Sequence, residues 1–201
     1  MAITNVIFTG VGGQGVLLAS DVLAEIALRH GLDVKKSEVH GMSQRGGSVI
    51  SQVRFGEKIY APLVSLNQAD FIVAFEKLEA VRYLDYLKPN GVMIANDYEI
   101  IPATVEFGDV EYPKEILPVF MKKTNRIILE NITKLAEGLG NPKVLNVIML
   151  GILSNYLEIP EPVWRGAIKT RVPDKFLELN LKAFQAGREI RETAPGIVPQ
   201  P

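Results

Sequence analysis

The sequence lacks cysteine altogether, and it has only two histidines among its 201 residues. Without cysteine the chain forms no disulfide, has no thiol nucleophile and supplies no thiolate for zinc or for an iron–sulfur cluster. His30 and His40 are too few and too far apart in the sequence for a histidine-rich metal site. We therefore predict no metal site on this chain.

An excess of charge of one sign and long apolar runs are also missing. The chain has 22 basic and 23 acidic residues, so its composition gives no electrostatic basis for binding nucleic acid. The N-terminus shows no basic segment of the kind that opens a signal peptide. The longest apolar run, Val144–Leu153, contains Asn146 and is too short to span a bilayer. We expect neither nucleic acid nor a membrane as a partner, and a cytoplasmic location.

Apolar runs alternate with segments of helical period through the first half of the chain, and helical segments follow. The predicted strands are 5–9, 32–39, 48–55, 70–75, 92–95 and 126–130. The predicted helices are 14–30, 77–87, 132–139, 142–156, 162–169 and 173–189. The strand at 48–55 is expected to form a hairpin with 58–60 across the turn at Gly56 and Glu57.

This order of elements predicts an α/β fold. Strands that alternate with helices favour a mainly parallel sheet with right-handed crossovers, so we expect a Rossmann-like sheet with a helical C-terminal part. The length fits one domain, which we place at residues 1–193. Three prolines among the last eight residues predict a flexible tail at 194–201.

The first candidate site is a glycine run after the first strand. Gly10, Gly12, Gly13 and Gly15, with Gln14, match G-x-G-x-x-G between a strand and a helix, which is the context that this motif requires. Glycines let the turn close tightly and let a phosphate approach the backbone, while the helix N-terminus offers free N–H groups. The run predicts a phosphate or other anion site, and a tight turn without a ligand is the alternative.

The second candidate site is the loop from residue 40 to residue 47, where polar side chains stand beside glycines. Its functional candidates are His40, Ser43, Gln44, Arg45, Gly46 and Gly47. An arginine can grip a carboxylate or a phosphate with two hydrogen bonds, and a histidine can carry a proton near neutral pH. We interpret the loop as functional, and an ordinary solvated loop is the alternative.

Both candidate segments follow predicted strands. Ligands of parallel sheets bind outside the carboxyl ends of the strands, so we expect the two segments to lie together. Other polar residues at predicted strand ends, namely Glu76, Asn96-Asp97 and Glu130-Asn131, are interpreted as helix N-caps or surface turns.

If the glycine run held NAD, Glu38 would hold a ribose hydroxyl. A free-standing NAD-dependent oxidoreductase and a nucleotide-binding regulatory subunit therefore remain alternatives.

Together the two segments resemble the gamma module of the 2-oxoacid:ferredoxin oxidoreductases. The resemblance is carried by Gly10–Val16 and Glu38–Gly47, and the segment Gly140–Gly151 is similar to the family's helical segment. It extends over nearly the whole chain, and it is greatest to the small (beta) subunit of the indolepyruvate-oxidising members. It implies that residues 1–193 form a single catalytic domain of the gamma type.

The resemblance also implies an activity and a division of labour. Members of this family decarboxylate a 2-oxoacid on thiamine diphosphate, pass electrons through iron–sulfur clusters to ferredoxin and release an acyl-CoA. Thiamine diphosphate and the clusters would belong to a large (alpha) partner subunit, which agrees with the absence of cysteine here. This chain would contact coenzyme A and be inactive alone. The implied substrate is an arylpyruvate, with pyruvate or 2-oxoisovalerate as alternatives.

The same resemblance gives the candidate residues their roles. His40, Ser43, Gln44 and Arg45 are expected to be catalytic: Arg45 would hold a phosphate or the oxoacid carboxylate, and the others would orient the thioester or the thiamine adduct. The residues expected to bind the cofactor are Gly10, Gly12, Gly13, Gln14, Gly15, Gly46 and Gly47. Free N–H groups at a helix N-terminus suit the phosphates of coenzyme A.

Overall fold

The computed structural model describes residues 3–40, 47–101, 112 and 115–192, and for His40 only the backbone. These residues form six strands in one sheet, in the order β2-β3-β1-β4-β5-β6. The strands are β1 Thr4–Val11, β2 Asp33–His40, β3 Ser48–Gly56, β4 Ala69–Ala74, β5 Leu87–Asn96 and β6 Ile127–Glu130.

Seven α-helices accompany the sheet in the described part of the chain. They are α1 Val16–Arg29, α2 Lys77–Arg82, α3 Leu117–Met121, α4 Ile132–Gly138, α5 Leu145–Ser154, α6 Glu161–Arg171 and α7 Asp174–Glu189. Short 3₁₀ turns follow α2 at Leu84–Tyr86 and precede α5 at Pro142–Val144. Every predicted helix is present, and the predicted α/β fold with a mainly parallel sheet is confirmed.

The predicted hairpin between 48–55 and 58–60 is wrong. Strand β3 instead pairs antiparallel with β2 on one side, from Asp33 opposite Gly56 to His40 opposite Val49, and with β1 on the other side. Residues 57–60 form no strand. The alternating pattern of 48–55 correctly indicated a strand, but such a pattern does not specify the neighbour with which the strand pairs.

Both faces of the sheet are covered, because successive side chains of a strand point to opposite faces. Val6 and Phe8 of β1 belong to a core shared with α1 and with the helices α4–α7. Ile7 belongs to a second core, which includes Phe120 of α3 and Ala80 of α2. The molecule therefore has three layers, and α1 and α2 lie on opposite faces of the sheet.

The C-terminal helices α4–α7 pack closely over the face of the sheet to which Val6 and Phe8 point. All ten residues of α5 are buried. Helix α7 crosses α5 at Gly187 and Gly151, where the two backbones come so close that a Cβ on either glycine would collide with a carbonyl oxygen of the other helix. The helical C-terminal part is thus one wall of the main core.

Two further observations concern the described residues as a group. Their helices are too short or too polar for any of them to cross a bilayer. They also contain no cluster of three or more histidine, aspartate or glutamate side chains that would hold a metal ion.

Candidate functional site

The candidate site lies at the carboxyl ends of β1 and β4. These two strands run parallel, and the chain leaves them in opposite directions, because α1 lies on one face of the sheet and α2 on the other. Such a point creates a crevice outside the strand ends, where α/β proteins bind their ligands. The glycine run after β1 lies at this crevice, as its sequence predicted.

The backbone of the glycine run requires glycine at several positions. Gly13 and Gly15 have φ angles of 104° and 83°, which L side chains rarely adopt. A Cβ at Gly10 would lie 2.8 Å from the Cβ of Phe75 and 2.8 Å from a methyl group of Val16. The run is therefore a tight turn that brings the end of β1 directly into α1.

Gln14 closes this turn with its side chain. Its Oε1 accepts a hydrogen bond from the N–H of Val11 at 2.7 Å, and its Nε2 donates to the carbonyl oxygen of Phe75 at 3.0 Å. The amide thus joins the turn to the end of β4. Gln14 therefore has a structural role here, and Gly13 remains exposed to solvent.

The second candidate loop, residues 40–47, meets the glycine run at the C-terminal end of the loop. The N–H of Gly12 donates to the carbonyl oxygen of Gly47 at 2.9 Å, and Ser48 stands opposite Val11 in the sheet. His40 ends β2, but its side chain lies outside the description. Ser43, Gln44, Arg45 and Gly46 also lie outside the described residues. The structure thus brings Gly47 to the glycine run.

Beneath these segments lies a buried carboxylate that the sequence did not single out. Glu79 of α2 is 4% exposed. It accepts hydrogen bonds from the hydroxyls of Thr9 and Ser48, and from Nε of Arg82 at 3.0 Å. Glu79 therefore ties together β1, the start of β3 and α2. Only its position on α2, after a strand that ends at the crevice, could have indicated this role.

A second buried carboxylate, Glu76, begins α2. Its Oε2 accepts from the N–H of Glu79 at 2.9 Å, while its Oε1 accepts from the hydroxyl of Tyr112 and from the N–H of Ile100 at 3.3 Å. Partial burial and the hydrogen bond to Glu76 raise the pKa of the Tyr112 phenol, so that it stays protonated and remains a donor. Glu76 is an N-cap, as predicted.

Two asparagines at neighbouring strand ends are helix caps too. Asn96 of β5 accepts from the N–H groups of Ile132 and Thr133, at 2.9 and 3.2 Å. Asn131 accepts from the N–H of Lys134 at 2.8 Å. The interpretation of Asn131 as an N-cap is confirmed. Asn96 is the buried last residue of β5 and is not itself an N-cap, but its side chain caps the same helix from the neighbouring strand.

Comparisons with known proteins agree with this geometry. The sequence model of the family "Pyruvate ferredoxin/flavodoxin oxidoreductase" matches residues 5–190. The indolepyruvate oxidoreductase subunit IorB of Pyrococcus horikoshii is 41% identical over 189 residues, which are 91% of this chain and 93% of that one.

The chain belongs to the pyruvate ferredoxin/flavodoxin oxidoreductase family. Its similarity to solved structures confirms the fold. The gamma subunit of a keto/oxoacid ferredoxin oxidoreductase from Geobacter sulfurreducens superposes with a TM-score of 0.69 at 26% identity, over 92% of this chain and 95% of that one. A 2-oxoglutarate:ferredoxin oxidoreductase from Magnetococcus marinus superposes with a TM-score of 0.73 at 23% identity, over 100% of this chain and 34% of that one.

Membership of this family confirms the resemblance inferred from the sequence.

The strand order of the sheet argues against the alternative that the glycine run binds NAD. In a dinucleotide-binding sheet the second strand lies beside the first and its acidic residue reaches the ribose. Here β3 stands between β1 and β2, so Glu38 is two strands away from β1. Its carboxylate pairs with Lys36. Glu38 is therefore not placed to hold a ribose at the glycine run.

The contribution of the Glu79 hydrogen bonds to stability can be tested by mutation. Replacing Glu79 with alanine leaves the hydroxyls of Ser48 and Thr9 without their acceptor, and hydrogen bonds to a charged group contribute about 2 kcal/mol. We expect the free energy of unfolding, measured with urea, to fall by about 2 kcal/mol. The control is Glu137→Ala at an exposed position of α4, expected within about 0.5 kcal/mol of the parent. Equal stability of both variants would contradict the role of Glu79.

Proposed function

We propose that this chain is the small subunit of an indolepyruvate (arylpyruvate):ferredoxin oxidoreductase. The complex would decarboxylate the 2-oxoacid oxidatively, form an acyl-CoA and pass electrons to ferredoxin. The observation that carries this proposal is the 41% identity to IorB, which extends over 93% of that subunit. Because the match covers almost the whole of both chains, the same place in a complex is the simplest reading.

The absence of cysteine supports a division of labour between two chains. Iron–sulfur clusters are held by cysteine thiolates, and this sequence contains none. Thiamine diphosphate and the clusters therefore belong, in this proposal, to a large (alpha) subunit, and electrons reach ferredoxin through that partner. The small subunit would be inactive alone, and we propose the cytoplasm as its location.

The residues of the glycine run fit a phosphate of coenzyme A, which the Magnetococcus enzyme holds in its solved structure. Gly13 is exposed, and a Cβ there would have no atom within 4 Å, so a ligand has room against the backbone. No side chain in the described part of the chain caps α1, which leaves N–H groups at its first turn for an anion. Arg45 and the rest of the 40–47 loop would complete the site around the oxoacid.

The substrate is tested by a comparison of oxoacids. We would co-express the chain with its neighbouring open reading frame and measure viologen reduction, dependent on coenzyme A, with indolepyruvate, phenylpyruvate, pyruvate and 2-oxoisovalerate. The proposal predicts the highest kcat/KM for the arylpyruvates. A higher value for pyruvate or 2-oxoisovalerate would assign the chain to another member of the family.

The isolated chain also separates this proposal from an NAD-dependent enzyme. We expect no binding of NAD in a calorimetric titration, because Glu38 is displaced from β1 by a whole strand. Coenzyme A in the same titration serves as the comparison ligand. Tight binding of NAD by the chain alone would favour the free-standing oxidoreductase instead.

A further inference from the structure

One oxygen of the buried Glu79 carboxylate binds two hydroxyl groups that belong to different strands. Its Oε2 accepts from the hydroxyl of Thr9 at 3.4 Å and from the hydroxyl of Ser48. Thr9 lies near the end of β1, and Ser48 is the first residue of β3. Because a carboxylate only accepts hydrogen bonds, both hydroxyls turn their protons toward it. The carboxylate therefore fixes the end of β1 and the start of β3 relative to α2.

These two hydroxyls flank the point where the two candidate segments meet. Thr9 directly precedes the glycine run, and Ser48 directly follows Gly47, the last residue of the second candidate loop. Between them, the N–H of Gly12 donates to the carbonyl oxygen of Gly47 at 2.9 Å. Glu79 is thus bonded to a residue on each side of the contact that joins the two segments.

Packing alone does not favour a charged group at this position. Glu79 is 4% exposed and Thr9 is fully buried, and the core on this face of the sheet contains Ile7 and Ile50. Replacing buried charges by apolar side chains of similar volume is often neutral or stabilising. The charge of Glu79 is partly offset by Arg82, whose Nε lies 3.0 Å from Oε1 and whose side chain is half exposed. The bonds to the two hydroxyls are therefore the feature that a carboxylate adds here.

We propose that Glu79 is a positioning residue, which holds the glycine run and the second candidate loop in their relative places through Thr9 and Ser48. Both of its carboxylate oxygens are already bonded within the protein, so it acts through these neighbours and not on a substrate. The inference rests on the proposed function in one respect, because it takes the two segments as the groups that contact coenzyme A and the oxoacid.

Two substitutions of Glu79 in the complete complex separate positioning from a role of the charge itself. Glu79→Ala removes the acceptor, and we expect kcat per assembled complex to fall at least about tenfold, because small misplacements of reacting groups are costly. Glu79→Gln keeps an oxygen for both hydroxyls, and the half-exposed Arg82 can turn to solvent, so we expect kcat within about threefold of the parent. A parent-like rate in the alanine variant, or an equal loss in both variants, would overturn the proposal.

A matched pair of valine variants separates positioning from lost stability. Thr9→Val keeps the volume of the side chain and removes one bond to Glu79, and we expect kcat to fall about fivefold or more. Thr124→Val is the control. Thr124 is also buried, and its hydroxyl donates to the carbonyl oxygen of Gly91 at 2.6 Å, near the start of β6 and opposite the crevice. We expect its kcat within about twofold of the parent. Equal rates in the two valine variants would overturn the proposal.

Hydrogen exchange of the full-length chain, followed by NMR, tests the same contact without any reaction. The N–H of Gly12 is protected by its bond to Gly47, and we expect it to exchange at least about tenfold faster in Glu79→Ala. In Glu79→Gln its rate is expected within about twofold of the parent. The N–H of Gly140, which donates to Glu137 at 2.9 Å in a surface turn, is the control and should keep its rate. An unchanged Gly12 rate in Glu79→Ala would overturn the proposal.

The exchange measurement also separates this inference from the proposed function. A parent complex that oxidises no 2-oxoacid would refute the proposed function, and the Gly12 rates would still decide whether Glu79 holds the two segments together. If Glu79→Ala does not fold, Thr9→Val takes its place in the exchange experiment, with the same direction expected for Gly12. A parent-like Gly12 rate in that variant would overturn the proposal.

Discussion

Replacing Gly151 with alanine is expected to destabilise the protein strongly. A Cβ at this position would collide with the carbonyl oxygen of Phe184 and lie 3.0 Å from the Cα of Gly187. Both obstacles are backbone, so α5 and α7 must move apart and open the core between them. We expect the free energy of unfolding to fall by about 3 kcal/mol or more, in line with overpacked cores.

The measurement is urea unfolding followed by circular dichroism, with Gly138→Ala as the control. Gly138 is the last residue of α4, and a Cβ there would have no atom within 4 Å. Alanine is the better helix former, so the control is expected to be as stable as the parent or more stable by up to about 1 kcal/mol. If Gly151→Ala lost less than about 1 kcal/mol, the close crossing of α5 and α7 would be refuted.

Replacing Arg45 with alanine in the complete complex is expected to impair catalysis most among the candidate loop residues. A guanidinium that grips a phosphate or a carboxylate makes charge-assisted hydrogen bonds, which contribute about 1.5–3 kcal/mol. We therefore expect kcat/KM for coenzyme A or for the oxoacid to fall by about 10- to 100-fold. A fall in kcat/KM for coenzyme A would indicate that Arg45 holds a phosphate. A fall in kcat/KM for the oxoacid would indicate that it holds the carboxylate.

Arg165→Ala serves as the control for the Arg45 variant. Arg165 is an exposed residue of α6 and forms a surface ion pair with Glu161 at 3.3 Å. Its removal is expected to change kcat/KM by less than about twofold, because such pairs contribute little. Unchanged kinetics for both substrates in the Arg45 variant would remove Arg45 from the site.

Local sequence patterns predicted the elements of the fold better than their pairing. The buried run at 70–75 and the capped helices after it were correct, since apolar period and cap residues act over a few neighbouring positions. The partner of β3 was wrong because Gly56 and Glu57 suggested a short hairpin. Strand β3 instead pairs with β2, which precedes it in the chain, and with β1, which is distant in the sequence and whose pairing no local pattern records. Strand β5 has a break in register between Leu87 and Val92, where Asn90 has a φ of 63°.

The candidate site was predictable where it rests on backbone geometry. The glycine run is recognisable because Gly13 and Gly15 need positive φ angles and because it stands between a strand and a helix. Glu79 was not predicted as a partner of the crevice, and the reason is physical. It lies on a helix whose residues come from a distant part of the chain, so only the folded structure shows that it lies beside β1.

The absence of cysteine links the composition of the chain to its place in a complex. A chain without cysteine offers no thiolate ligand for an iron–sulfur cluster, and in the proposed function the electrons therefore reach ferredoxin through the partner. The described residues supply a crevice and a free helix N-terminus, which are features suited to binding an anionic group. In the proposed function this subunit shapes the site for coenzyme A and the oxoacid, and the partner performs the redox chemistry.

Reconstitution of the two chains tests this account most directly. The partner subunit, with its clusters intact, is assayed for viologen reduction by indolepyruvate and coenzyme A before and after this chain is added. The account predicts no activity from either chain alone and a rate that rises with added small subunit until the two assemble fully. Full activity of the partner without this chain, or no activity with any 2-oxoacid despite assembly, would contradict it.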